Sequence, residues 1–214
     1  MRNTRMIIVL LSAVFLLGGC RAAYYSAWER IGKEKRHLLQ DQVQAAKKDQ
    51  ANASEGFKTV IERVKALYGF EGGDLEDFYT HLVKDYNRCH KRAEKVEDRI
   101  ESVEQIAADL FAEWEAEIRD LSNPRFKANS KTKLAATRTR YDRMHASMRL
   151  SADKMWPVLN SLNDYVIYLK HNLNARAMGS LKQEMADIEG DVTILIKDIS
   201  ASIDDADAFL QDFE

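Results

Sequence analysis

The chain has 214 residues, 31% of them charged, with 32 Lys and Arg against 34 Asp and Glu and a formal net charge of −2. Two prolines and nine glycines, beside plentiful Ala, Leu, Glu and Lys, point to long helices. They exclude a low-complexity tract, and no repeat of 20 to 50 residues is present.

The chain opens MRNTRMIIVLLSAVFLLGGC. Arg2 and Arg5 form a positive start, and Met6 to Leu17 is apolar apart from Ser12. Spanning a bilayer as a helix takes about 20 apolar residues, so this run is too short. A positive start, a short apolar core and small residues behind it describe a secretory signal. Leu17-Gly18-Gly19-Cys20 resembles the lipobox of bacterial lipoproteins. That resemblance implies cleavage between Gly19 and Cys20, a diacylglycerol on the Cys20 thiol and an acylated (palmitate-type) new amino terminus. Two acyl chains already anchor a protein stably. An uncleaved anchor running toward Trp28 would place Arg21 within hydrocarbon. Within the same resemblance, Arg21 after the cysteine favours the periplasmic face of the outer membrane over the inner membrane. Residues 1–19 are thus expected to be a signal peptide and residues 20–214 a single helical-bundle domain.

The expected fold is all-α, an elongated antiparallel bundle of about four long helices. The first, about 22–68, has a seam strong at its ends, with Trp28, Ile31 and Leu38, then Phe57, Val60, Val64 and Leu67. Its middle, QDQVQAAKKDQANASEG, is weak and must face bulky neighbours or move locally. GFEGGD makes a turn, and Asp74 is placed to cap a second helix over 74–121. Leu75, Phe78, Leu82, Tyr86, Cys89, Ala93, Val96, Ile100, Val103, Ala107, Leu110, Trp114, Ile118 and Leu121 then recur at threes and fours. Cys89 falls on that seam, so burial is its expected state.

After SNPRF a third helix is expected over 129–172, with Leu134, Thr137, Tyr141, Met144, Met148, Met155, Leu159, Leu162, Val166 and Leu169 inward. Pro157 should kink it. The fourth, 174–213, runs through Leu181, Met185, Ile188, Val192, Leu195, Ile199, Ile203, Ala206 and Phe209. Asn172 and Asn174 mark a turn, although the seam also permits one continuous helix there. Similar lengths favour the turn. Counting Lys and Arg against Asp and Glu, residues 21–68 carry +4, 69–123 carry −8, 124–174 carry +7 and 175–214 carry −7. Alternating signs suit an up-down-up-down ring and penalise like-charged pairings.

The lipobox, the RAAYYSAWE start, the YGFEGGDLE turn and the LKHNLNARAMGSL junction resemble an uncharacterised helical lipoprotein family of Gram-negative bacteria, a domain of unknown function. The resemblance covers nearly the whole chain and implies no activity, cofactor or catalytic residue.

A bundle can hold a di-metal site built from two Glu/Asp-x-x-His motifs. Glu34-x-x-His37 and Asp142-x-x-His145 are candidates, with Asp109, Asp204 and Asp205 nearby. Both motifs point away from the apolar stripes, so these groups are expected on the surface and no metal is expected. His81, His90 and His171 have no partners at ligand spacing, and there is no Gly-x-Ser-x-Gly motif or phosphate-binding GxxxxGK[ST] loop. Met144, Met148, Met155 and Met178 are expected core rather than a binding face.

The sequence therefore suggests a non-enzymatic, membrane-tethered scaffold or interaction protein. Its membrane contact would run through Cys20, a protein partner would sit at the distal turns, and no nucleic acid is expected. A lipid- or small-ligand-carrying bundle is the alternative, and would need a cavity wider than coiled-coil packing. Level counting places Trp156 near Val96 and Ala46, filling the thin middle of the first helix. The turn between helices two and three returns to the tethered end. Arg125, Lys127, Lys131, Lys133, Arg138 and Arg140, with Arg21, form a candidate contact for anionic lipid there.

Overall fold

The 3–4 spacing of apolar residues dictates helices that each bury one stripe, and four such stripes close on one another. The computed structural model describes Tyr25 and residues 33–66, 75–172 and 175–211, the side chains of the last stretch from residue 186 onward. The signal, the lipobox, the GFEGGD turn and Asp74 lie outside the described residues. Among the described residues four long helices run in sequence: α1 (Lys35–Ala66), α2 (Leu75–Asp120), α3 (Pro124–His171) and α4 (Ala175–Gln211). Each packs on the next, and α4 closes back onto α1. Because α3 ends at a cap on Asn172 and α4 packs against it, one continuous helix through this region is ruled out.

The expected seam of α3 is buried along its whole length, from Leu134 to Leu169. Leu82, Cys89, Ala93, Val96, Ile100, Val103, Ala107 and Ile118 form the matching stripe of α2, and Ile188, Val192, Leu195, Ile199, Ala206 and Phe209 that of α4. Met144, Met148 and Met155 are core residues; Met178 lies among the side chains not described. Pro157 sits on the exposed face of α3, which runs through it from Pro124 to His171.

Three expectations change. The first helix was expected to run unbroken from residue 22, but residues 33–34 are not helical and α1 begins at Lys35, where the Glu34 carbonyl accepts the first helical bond from Leu38. Of the stretch 22–32 only Tyr25, itself helical, is among the described residues. Tyr25 does not lie on a straight continuation of α1. Its hydroxyl donates to Asp109 at 2.6 Å, while Lys35 reaches Glu113. A straight helix would carry Tyr25 about 15 Å the other way. The third helix starts at Pro124, earlier than 129, because Asn123 caps it and Pro124 takes the position where a missing N–H costs nothing.

The middle of α1 is the third. Leu39, Val43, Ala46, Gln50, Ala53, Phe57, Val60 and Val64 are buried at alternating steps of four and three, so the seam never stops. Gln50 simply makes one layer polar. Its Nε2 donates to Ser151 Oγ (2.8 Å) and Ser202 Oγ (3.0 Å), and Ser202 donates back to its Oε1 (3.2 Å). Ser151 in turn donates to the Met148 carbonyl. Trp156 is therefore not the filler: it is half-buried on the α2 flank, edge-on to His90 at 5.3 Å. Small residues also draw α1 onto α2. A Cβ added at Gly56 would stand 3.2 Å from the Arg92 guanidinium, which bonds the Asn52 carbonyl.

Ion pairs cross all four interfaces. Lys35–Glu113 and Arg63–Asp85 join α1 to α2, Arg138–Glu115 and Arg149–Glu104 join α2 to α3, Lys154–Asp198 and Arg143–Asp205 join α3 to α4, and Lys47–Asp207 and Lys65–Glu189 join α4 to α1. These follow the alternating signs of the sequence. Asp49 reverses the sign, being buried in α1 between Lys95 and Arg99 of α2.

Candidate functional site

Helix lengths shape the end where α1 begins. α2 and α3 have 46 and 48 residues, against 32 and 37 for α1 and α4. At the far end Arg63 and Lys65, in the last turn of α1, meet Asp85 and Glu189, so α2 and α4 run past the end of α1 there. At the near end α2 and α3 outrun the other two. The Phe209 ring of α4 meets Tyr141 at 6.2 Å. From Tyr141 to Pro124, a rise of 1.5 Å per residue carries the α2–α3 hairpin about 25 Å further.

The apex of this hairpin is fixed locally. Asn123 Oδ1 accepts from the backbone N–H of Arg125 (2.9 Å) and Phe126 (3.3 Å). Lys127 Nζ donates to the carbonyls of Arg119 (2.9 Å) and Leu121 (3.4 Å), satisfying the end of α2. The first turn of α3 is thereby held in a conformation that leaves Phe126 61% exposed.

The seven expected lipid-contacting residues separate into groups. Arg21 lies outside the described residues, as do Gly19 and Cys20. Lys127 caps α2, and Arg138 is paired with Glu115 at 2.6 Å and stands over the Phe111 ring. Arg125, Lys131, Lys133 and Arg140 are exposed. They do not form one patch. Lys131 borders a groove with Ile118, Leu134 and Ala135, while Lys133 and Arg140 border a cleft on the opposite flank with Leu110, Trp114 and Thr137. That cleft holds about 860 Å³ and is closed on the α1 side by Glu34, Lys35 and Arg36. Its floor is Trp114, whose Nε1 donates to Ser130 at 2.8 Å.

The two Glu/Asp-x-x-His motifs are not brought together. Glu34 is exposed and its backbone N–H donates to His37 Nδ1 at 3.3 Å. His145 departs from its expected solvated state. It is half-buried, stacked on Tyr141 at 5.5 Å, with Nε2 2.6 Å from Glu104 Oε1. That contact is too poorly aligned to count as a hydrogen bond, so Nε2 is buried with a charge beside it and no aligned partner. Arg149 grips Glu104 through Nε (3.1 Å) and Nη2 (2.8 Å). These bonds hold the Glu104 carboxyl below the usual range, with the Arg149 and His145 charges adding to the effect. Burial, then the Glu104 and Asp142 charges, push the Tyr141 phenol up. The cluster locks α2 to α3. Among the described residues no group of three His, Cys, Asp or Glu is placed to hold a metal.

Cys89 is buried, and burial pushes its thiol up to about 12, against a smaller opposing effect of Arg92. It is an inert core thiol. No described helix is long and apolar enough to cross a membrane.

Sequence reasoning found the basic turn but not Phe126, which lies inside it. Its signal was Asn123-Pro124, a cap followed by a first-turn proline, which places the next residues on a helix end. No curated protein and no solved structure matches the chain. Residues 24–213, nearly the whole bundle, match the family described as protein of unknown function (DUF2959), and the chain belongs to that family.

Proposed function

We propose that the protein is a lipid-anchored envelope protein, tethered through Cys20 at the periplasmic face of the outer membrane, and that it works there as a non-catalytic scaffold or interaction module. The lipobox Leu17-Gly18-Gly19-Cys20 behind a short apolar run carries this reading. The bundle is consistent with it. Its core is a continuous set of buried apolar side chains, and its polar side chains knit the helices together through cross-helix ion pairs. Replacing Cys20 with Ser should stop incorporation of a palmitate analogue and leave a precursor that keeps its first 19 residues. Label uptake at the wild-type level in that variant would sink the reading.

A second reading rests on the 860 Å³ cleft between α1, α2 and α3. Its apolar floor of Leu110, Trp114 and Ala136, with Lys133 and Arg140 at the rim, suits a small amphiphile with an anionic head. Quenching of Trp fluorescence by such a ligand, lost in Trp114→Phe, tests it. A full-strength response in Trp114→Phe would place the ligand elsewhere.

A further inference from the structure

Beyond the tether itself, we propose that the α2–α3 apex is a membrane-contacting wedge. Phe126 enters the headgroup zone of an anionic leaflet, and Arg125, Lys131 and Lys133 form a collar of cations around it. The inference rests on the lipid-anchored reading and names the surface the folded domain presents to the bilayer.

Four observations converge on this occupant. Phe126 is the most exposed large apolar side chain among the described residues, and it sits at the outermost turn of the projecting hairpin. The charges nearest the apex are almost all of one sign. Residues 119–133 carry Arg119, Arg125, Lys127, Lys131 and Lys133, against the single acidic side chain of Asp120. The collar also encircles the apex rather than lying on one side, since Lys131 and Lys133 border opposite flanks of the hairpin. An end-on contact uses both flanks, whereas a side-on contact would use one.

The fourth observation is the reach of the tether. Cys20 stands five residues before Tyr25, at most about 17 Å of extended chain. Tyr25 is bonded to Asp109, and from Asp109 to Asn123 the rise of α2 is about 21 Å. A leaflet holding acyl chains on Cys20 is therefore held close to the level of the apex. Basic side chains gain from an anionic surface within a Debye length, and an aromatic ring settles at the headgroup level.

The test uses the full lipidated chain in vesicles, with an environment-sensitive fluorophore on Phe126→Cys and, as the control at the other end, on Ile167→Cys. Buried Cys89 should not label in the folded protein. With anionic phospholipid, the probe at 126 should shift to the blue and be quenched by shallow brominated lipid, while the probe at 167 should not. High salt should reverse the shift. Gln at 125, 131 and 133 should lower the ratio of seated to free apex by roughly fivefold per charge. A water-like probe at 126 in protein that floats with anionic vesicles overturns the wedge and leaves the anchor standing. Protein that carries no acyl chain overturns the anchor instead. The probe is then read on free protein mixed with the same vesicles, where a blue shift supports the wedge and a water-like spectrum overturns it.

Discussion

Replacing Gln50 with Ala should destabilise the bundle in a way that two further substitutions repair. Gln50, Ser151 and Ser202 are all buried and bonded to one another across α1, α3 and α4. Truncation removes roughly 55 Å³ of side chain, worth about 1.3 kcal/mol if the space stays empty. It also leaves the Ser202 hydroxyl without its partner, costing about 1–3 kcal/mol. Ser151 keeps the Met148 carbonyl and adds little. The sum is about 2–4 kcal/mol, or roughly 5–15 °C in melting temperature for a chain of this size. The triple variant Gln50→Leu, Ser151→Ala, Ser202→Ala leaves no buried polar atom in the layer, and should lie within about 1 kcal/mol of the wild type. Thermal and urea unfolding followed by circular dichroism measure both. A triple variant as unstable as Gln50→Ala would refute the reasoning, because the loss would then not come from stranded hydrogen bonds.

Asp49→Ala should cost about 1–3 kcal/mol by urea unfolding, since Lys95 and Arg99 can turn to water once their buried partner is gone. No loss of stability would mean that this pair holds nothing. Cys89 should resist alkylation in the folded protein and react fully in denaturant; its raised thiol keeps the neutral form through pH 9, and the stabilisation fades as pH climbs toward about 12. Rapid labelling at neutral pH without denaturant would contradict its burial. Glu104 has a lowered folded value, so its contribution is present above the ordinary carboxylate range and is lost as pH falls through the folded value. Glu104→Gln should accordingly lower the melting temperature at pH 7 and make little difference at strongly acidic pH. An equal difference at both would remove the charge from the explanation. Trp156→Ala should cost less than a core tryptophan, because the ring is half-buried on the α2 flank; a loss in the 3–5 kcal/mol range typical of core Trp→Ala would restore the central position expected from level counting.

Where mostly apolar residues make the seam, the sequence is enough: each expected inward residue of α3 is buried. The middle of α1 shows the limit. Gln50 occupies a seam position, but a polar residue there reads as an interruption until its partners are known, and those lie 101 and 152 residues away. The same holds for Tyr25, whose bond to Asp109 crosses 84 residues and places it off a straight continuation of α1. The basic turn was legible as composition. The exposure of Phe126 was not, because it follows from α2 and α3 outrunning α4, a difference in length that no local pattern records. Asn123-Pro124 was a readable helix start, and weighing it would have moved the expected boundary of α3 to its observed place.

The proposed place of the bundle at the membrane depends most on the fate of Cys20, and mass spectrometry of the amino-terminal peptide from membrane-purified protein addresses it directly. The chain should begin at Cys20, with Arg21 next, and carry the mass of a diacylglycerol on sulfur and an acyl group on nitrogen. A peptide that begins at Met1, or a Cys20 with a free thiol, would contradict the lipid anchor and with it the proposed place of the bundle at the membrane.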